Sequence, residues 1–151
     1  MGGFYDDPRF GVIQQMTLAE NADTAIGSAR AAAVELNRKT VLTNITVKDW
    51  NLECLVGATC TAGTAGAGAT EVYTLTIGKS AAGTGTYAAI GTATVGTAGQ
   101  ADNSVLDCTC TETNFSAGDD IVFRAEIGTS LGDNSLVARA NVSFVERFVA
   151  T

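Results

Sequence analysis

Residues 114–127 read NFSAGDDIVFRAEI. A tight-turn sequence, Ser116-Ala117-Gly118-Asp119, stands directly before a run in which Ile121, Phe123, Ala125 and Ile127 share one parity and Asp120, Arg124 and Glu126 the other; Val122 is the apolar exception on the polar side. Successive side chains of a strand point to opposite faces, so the pattern requires a sheet with one buried and one wet face. Asp119 is expected to close the Ser116 turn through its side chain, as Asx residues do. The segment therefore predicts an antiparallel all-β scaffold.

Outward from it, Leu136, Ala138, Ala140, Val142 and Phe144 alternate with Arg139, Asn141 and Ser143, and Tyr73, Leu75 and Ile77 alternate over residues 72–78. Residues 86–95 and 105–111 carry the same strand signal. Val41, Thr43, Ile45 and Val47 alternate until the parity switches at Lys48-Asp49 into Trp50, Leu52 and Cys54. A change of face within one run predicts a β-bulge or a strand that changes sheets. The Ala-rich residues 23–36, with Asp23 or Thr24 as a cap, predict a helix or turn that gives way to a strand near Ala33.

Counting that strand, and splitting the run at Trp50, gives eight short strands with Gly-rich turns. The expected fold is an antiparallel two-sheet sandwich of jelly-roll type. Residues 1–20 hold Phe4, Tyr5, Phe10 and the only proline, Pro8, without a clean period, and are expected to form a short N-terminal arm outside the sheet. Residues 21–151 then make a single β-sandwich domain, of a size that buries about two-thirds of its unfolded surface. Residues 57–70 (GATCTAGTAGAGAT) have too little side-chain volume for core and predict a long loop.

Composition removes most chemistry. A formal charge of −7 and nine scattered Lys and Arg residues disfavour nucleic acid. Histidine is absent, and with it the commonest general base, the commonest zinc ligand and every Ser-His or Cys-His nucleophile. No stretch approaches the roughly 20 apolar residues of a membrane helix, and the opening MGGFYDDPRF lacks both the apolar core of a signal peptide and a myristoylation motif. Cys108 and Cys110 share the parity of Leu106, so small buried thiols are expected there, in preference to a disulfide with Cys54 or Cys60. Four thiols spaced x5 and x1 match no common zinc pattern.

The remaining motifs each have a plainer reading. Gly78-Lys79-Ser80 has Tyr73 where a phosphate loop needs glycine, and no helix signal follows, so a hairpin turn with an exposed lysine is expected. Asp119, Asp120 and Asp133 would offer oxygen ligands to calcium, but a structural turn is the preferred reading. Glu53, Glu71, Glu112 and Glu126 are candidates for paired glycosidase carboxylates, with nothing in the sequence to select a pair. Trp50, Tyr73 and Tyr87 would make a sugar-stacking platform, yet Trp50 and Tyr73 carry core parity. The Asn-x-Ser/Thr sequences at Asn44, Asn114 and Asn141 read as chance in a Ser- and Thr-rich chain. No catalytic residue, metal site or cofactor is expected.

What is left is an acidic, catalytically bare sandwich. In Leu75-Thr-Ile-Gly-Lys-Ser80 with Gly83-Thr-Gly-Thr86, in Phe115-Ser-Ala-Gly-Asp-Asp-Ile-Val122, and in an arm followed by a closing alternating strand, the chain resembles the decoration (cement) proteins of tailed-phage capsids over about residues 40–148. The resemblance implies a jelly-roll homotrimer on the capsid exterior that bridges neighbouring major capsid protein subunits, with no catalysis. By composition, Phe4, Tyr5, Asp6, Arg9 and Phe10 are the expected capsid contacts, since aromatics and Arg are favoured at interface centres. The alternative is a carbohydrate-binding or adhesion sandwich of a fibre or tail.

Overall fold

The computed structural model describes residues 12–19, 34–56, 73–95, 103–127 and 137–147. Within them the alternating stretches form nine strands: β1 (Gln14–Ala19), β2 (Val34–Thr40), β3 (Ile45–Val56), β4 (Tyr73–Ser80), β5 (Tyr87–Val95), β6 (Ser104–Cys108), β7 (Thr113–Phe115), β8 (Asp120–Ile127) and β9 (Val137–Glu146). Every pairing between them is antiparallel.

The order of pairing is nested. β1 pairs with β9, β2 with β8, β3 with both β6 and β7, and β4 with β5. With β6 and β7 taken as one interrupted strand, the first strand pairs with the last, the second with the next to last, and so inward. This is a long hairpin folded over on itself, the double Greek key of a jelly roll. The pairings β3–β9 and β4–β8 gather the four couples into two sheets, β1-β9-β3-β6 with β7 also on β3, and β2-β8-β4-β5.

The core lies between the sheets and comes from one parity of each strand: Trp50, Leu52 and Cys54 from β3, Leu75 and Ile77 from β4, Ile121, Phe123 and Ala125 from β8, and Ala138, Ala140 and Val142 from β9. β8 has the bounds that its alternation predicts, and the antiparallel two-sheet sandwich is the expected fold class. The parity switch at Lys48 is a bulge: Val47 pairs with Phe144 but Asp49 with Ser143, so one extra residue on β3 lets both Val47 and Trp50 point inward.

Four expectations need correction. Residues 14–19 belong to the sheet as β1 and not to an arm; only Met16 and Leu18 mark the inward parity there. The chain does not run as a strand from Val41: residues 41–44 form a corner that leaves Leu42 87% exposed, and β3 begins at Ile45. The Trp50 run is not a separate strand, because the bulge keeps Ile45–Val56 in one ladder. The strand expected over 105–111 stops at Cys108, since Cys110 crosses to bridge Gly91 of β5 and the Thr111 N–H donates to the Ile90 carbonyl at 2.8 Å. Residues 57–72, Cys60 and the Ala-rich stretch before Val34 lie outside the described residues.

Candidate functional site

The ladders place one set of strand ends together. Thr40 at the end of β2 pairs with Asp120 at the start of β8, which pairs with Ser80 at the end of β4, which pairs with Tyr87 at the start of β5. In the other sheet Ile45 starts β3 opposite Phe115 and Glu146, and Gln14 starts β1 opposite Phe144. The short connections 41–44, 81–86 and 116–119 therefore share one end of the sandwich, and the chain enters β1 at that end.

Asp119 ties these connections together. Its side chain is buried; Oδ2 accepts the Ser116 N–H at 2.8 Å, Oδ1 accepts the Ala82 N–H at 3.1 Å, and Lys79 Nζ stands 2.8 Å from Oδ2. The expected side-chain closure of the Ser116 turn is thus present, and it extends to the β4–β5 hairpin. Gly118, at φ 96°, adopts the left-handed backbone the turn needs, and its N–H donates to the Val41 carbonyl while the Val41 N–H donates to that of Asp119. Asn44 continues the latch: its Oδ1 accepts the Ala117 N–H at 3.0 Å and its carbonyl accepts the Arg147 N–H at 2.7 Å.

Lys79 is not the exposed hairpin lysine expected from sequence. It shares the parity of Leu75 and Ile77, turns in at the last step of β4, donates to the Asn114 carbonyl at 2.8 Å and lies 5.3 Å from the Phe115 ring centroid. A charged residue on the inward parity is the sequence signal for such a partner. Burial pushes the Asp119 carboxyl up, but Lys79 and the two backbone N–H donors hold it below its ordinary value.

This latched end carries exposed apolar surface. Val12 is 50% exposed and Ile13 66%, and both precede β1 at the same end as Leu42. Sequence reasoning did not single out these three. Phe4, Tyr5, Asp6, Arg9 and Phe10 lie outside the described residues.

Elsewhere several charged groups are tied into pairs. On the outer face of the first sheet Arg139 makes a two-pronged bond to Glu53, 2.8 Å at each oxygen, and Asn141 links Glu53, Asn51 and Thr17. On the second, Arg38 holds both Glu35 and Asp120, and Thr40 donates to Asp120. Glu112 meets Lys48 at 2.8 Å. Glu71 and the side chain of Glu126 lie outside the description, so of the four glutamates weighed as glycosidase candidates the two described ones are separated, each with its own cation. Asp119 and Asp120 likewise have N–H, hydroxyl and cationic partners where calcium would need free oxygens.

The sugar platform does not assemble either. Trp50 is core, 1% exposed, while Tyr87 lies on the outer face of the second sheet with its ring under the Arg124 guanidinium, 3.6 Å from the ring centroid, and its hydroxyl on Thr76. Tyr73 lies in β4 with its side chain outside the description. Cys54 and Cys108 are free, buried thiols, and burial pushes both up, Cys108 to about 11. Cys110, also free, is half-buried.

These pairs set the acid response. Arg139 and Asn141 hold the Glu53 carboxyl at about 2, and Glu35 and Asp120 are also lowered, chiefly by bonds from Arg38 and Thr40 respectively. A carboxyl lowered in the folded state binds fewer protons there than in the unfolded chain, so its contribution is complete above the unfolded value and fades as pH falls through the folded one. The melting temperature should hold steady above about pH 5 and fall progressively toward about pH 2. Glu53→Gln should flatten part of that fall; a melting temperature that rises on acidification would contradict the assignment.

No family model matches the chain, and no curated protein matches it. Among solved structures, a chain of the structure of infectious bursal disease virus Gx strain is similar over 89% of this chain and 35% of its own length, at 10% identity and a TM-score of 0.33.

Proposed function

We propose that this chain is a non-enzymatic virion protein that decorates the outside of a phage capsid and clamps neighbouring major capsid protein subunits. The observation that carries the reading is the latched end of the sandwich, where Val12, Ile13 and Leu42 stand exposed beside connections fixed by Asp119 and Asn44. A rigid base with exposed apolar side chains suits protein docking, because little order has to be imposed on binding. Residues 1–11 lead into the same end, which puts Phe4, Tyr5, Asp6, Arg9 and Phe10 within chain reach of it. Several such contacts presented by an assembly add through effective concentration into strong clamping. The pairing of Glu53 with Arg139 and of Glu112 with Lys48 supports a structural use of these carboxylates over acid–base chemistry.

Co-sedimentation with expanded, DNA-free heads assembled from a tailed-phage major capsid protein tests the reading. The intact chain should pellet with the heads, and a chain lacking residues 1–12, or carrying Leu42→Asp, should bind at least about tenfold more weakly, as loss of one interface anchor does. Equal binding by all three would exclude this end as the contact.

A further inference from the structure

The two sheets have four edges, β6 and β7 together forming one, and three of them are defended against pairing with another chain. β2 has a register shift between Glu35 and Asn37 and carries Glu35, Arg38 and Lys39. The free side of β5 is covered at its middle, where Cys110 bridges Gly91 and the Thr111 N–H takes the Ile90 carbonyl. β6 and β7 are 5 and 3 residues long, separated by the excursion over 109–112, with Asp107 in β6 and Glu112 just before β7. Charges, bulges, short length and coverage are the devices by which sheet edges avoid adding strands.

Among the described residues β1 shows none of them. Its six residues pair with β9 in unbroken register from Gln14–Phe144 to Ala19–Arg139, and among the described residues nothing pairs with its other side. Residues 12–19, VIQQMTLA, contain no charge and no proline, although the chain as a whole carries −7. Val12 and Ile13 run into the strand exposed.

We infer that β1 is a self-pairing edge: β1 of one copy adds antiparallel to β1 of a second copy and joins their first sheets into one continuous sheet, β6-β3-β9-β1 followed by its two-fold mate. A second copy fits this edge because an uncharged strand lets two acidic chains approach with little local repulsion. An antiparallel pair is self-complementary under a two-fold axis. Centred near Met16, it sets Gln15 of one copy beside Thr17 of the other on the outer face, an uncharged polar pair. Main-chain hydrogen bonds supply the attraction, as in strand addition generally. An isologous pair closes at two copies, so this contact is distinct from any three-fold one, and it holds independently of the capsid reading.

Light scattering coupled to size exclusion tests it. The intact chain should run at twice the 15.4 kDa of one chain. Gln15→Lys with Thr17→Lys, and separately Gln15→Glu with Thr17→Glu, place like charges opposite each other and should each halve that mass, with the far-ultraviolet spectrum of a β protein retained. Mixing the two variants should restore the two-chain mass, which a folding defect would not allow. Thr17→Ala, which drops the bond to Asn141 without adding charge, should keep it. A one-chain mass for the intact protein, a mass indifferent to both charged pairs, or a mixture that stays at one chain would each overturn the inference.

Discussion

Asp119→Ala is expected to lower the unfolding free energy by about 3–5 kcal/mol, the cost of removing one partner from a buried charged network. The substitution leaves the Ser116 and Ala82 N–H groups and the Lys79 ammonium without the acceptor they share, at a position only 5% exposed. It also loosens two connections at once, because the β4–β5 hairpin touches the β7–β8 turn through this carboxylate. Asp119→Asn should cost less, since one oxygen remains to accept, but the amide nitrogen would face either an N–H or the ammonium. Chemical denaturation of the two variants checks the order; an Asp119→Ala protein within about 1 kcal/mol of the parent would refute the latch.

Gly91→Ala should cost about 3 kcal/mol, the upper part of the range for overpacking a core. A Cβ at this position would overlap the Trp50 indole nitrogen and lie 2.9 Å from the Cys110 Cβ, and Trp50 is the largest fully buried side chain. The indole N–H has no hydrogen-bond partner among the described residues, so the ring is held against Gly91 by packing. The cost should therefore depend on Trp50: in a Trp50→Leu background, Gly91→Ala should cost clearly less, leaving only the approach to the Cys110 Cβ. Residues in direct contact couple by about 0.5–3 kcal/mol. A double-mutant cycle that comes out additive would show that the close approach is not what constrains Gly91.

Both sites show how far the sequence can be read. The β8 alternation, the Asp119 turn and the Lys48 parity switch are local patterns, and each appears in the structure as its periodicity implies. Where local pattern and long-range pairing diverge, the sequence misleads. Val41 alternates with Ile45 although a corner separates their strands, because Val41 is buried from the corner itself, its N–H and carbonyl bonded to Asp119 and Gly118. β1 shows two inward apolar residues between neutral polar ones, too few for period-two recognition, and its place is set by β9, more than a hundred residues later.

The interruption between β6 and β7 has no local mark at all. Cys108 and Cys110 keep strand parity, and only the position of β5 draws Cys110 across to Gly91. At the candidate site, Leu42, Val12 and Ile13 were illegible for a related reason. An isolated apolar residue reads as core until the fold shows it on the surface, whereas the aromatic residues of 1–10 drew notice by composition alone.

A sandwich that bridges capsid subunits, as proposed, must make the capsid harder to break. The most direct measurement is the temperature at which expanded, DNA-free heads break, followed by light scattering with and without saturating protein. An upward shift that grows with occupancy and is lost when residues 1–12 are removed is expected. Heads that bind none of the intact protein, or that bind it and still break at the same temperature, would rule out the proposed clamping.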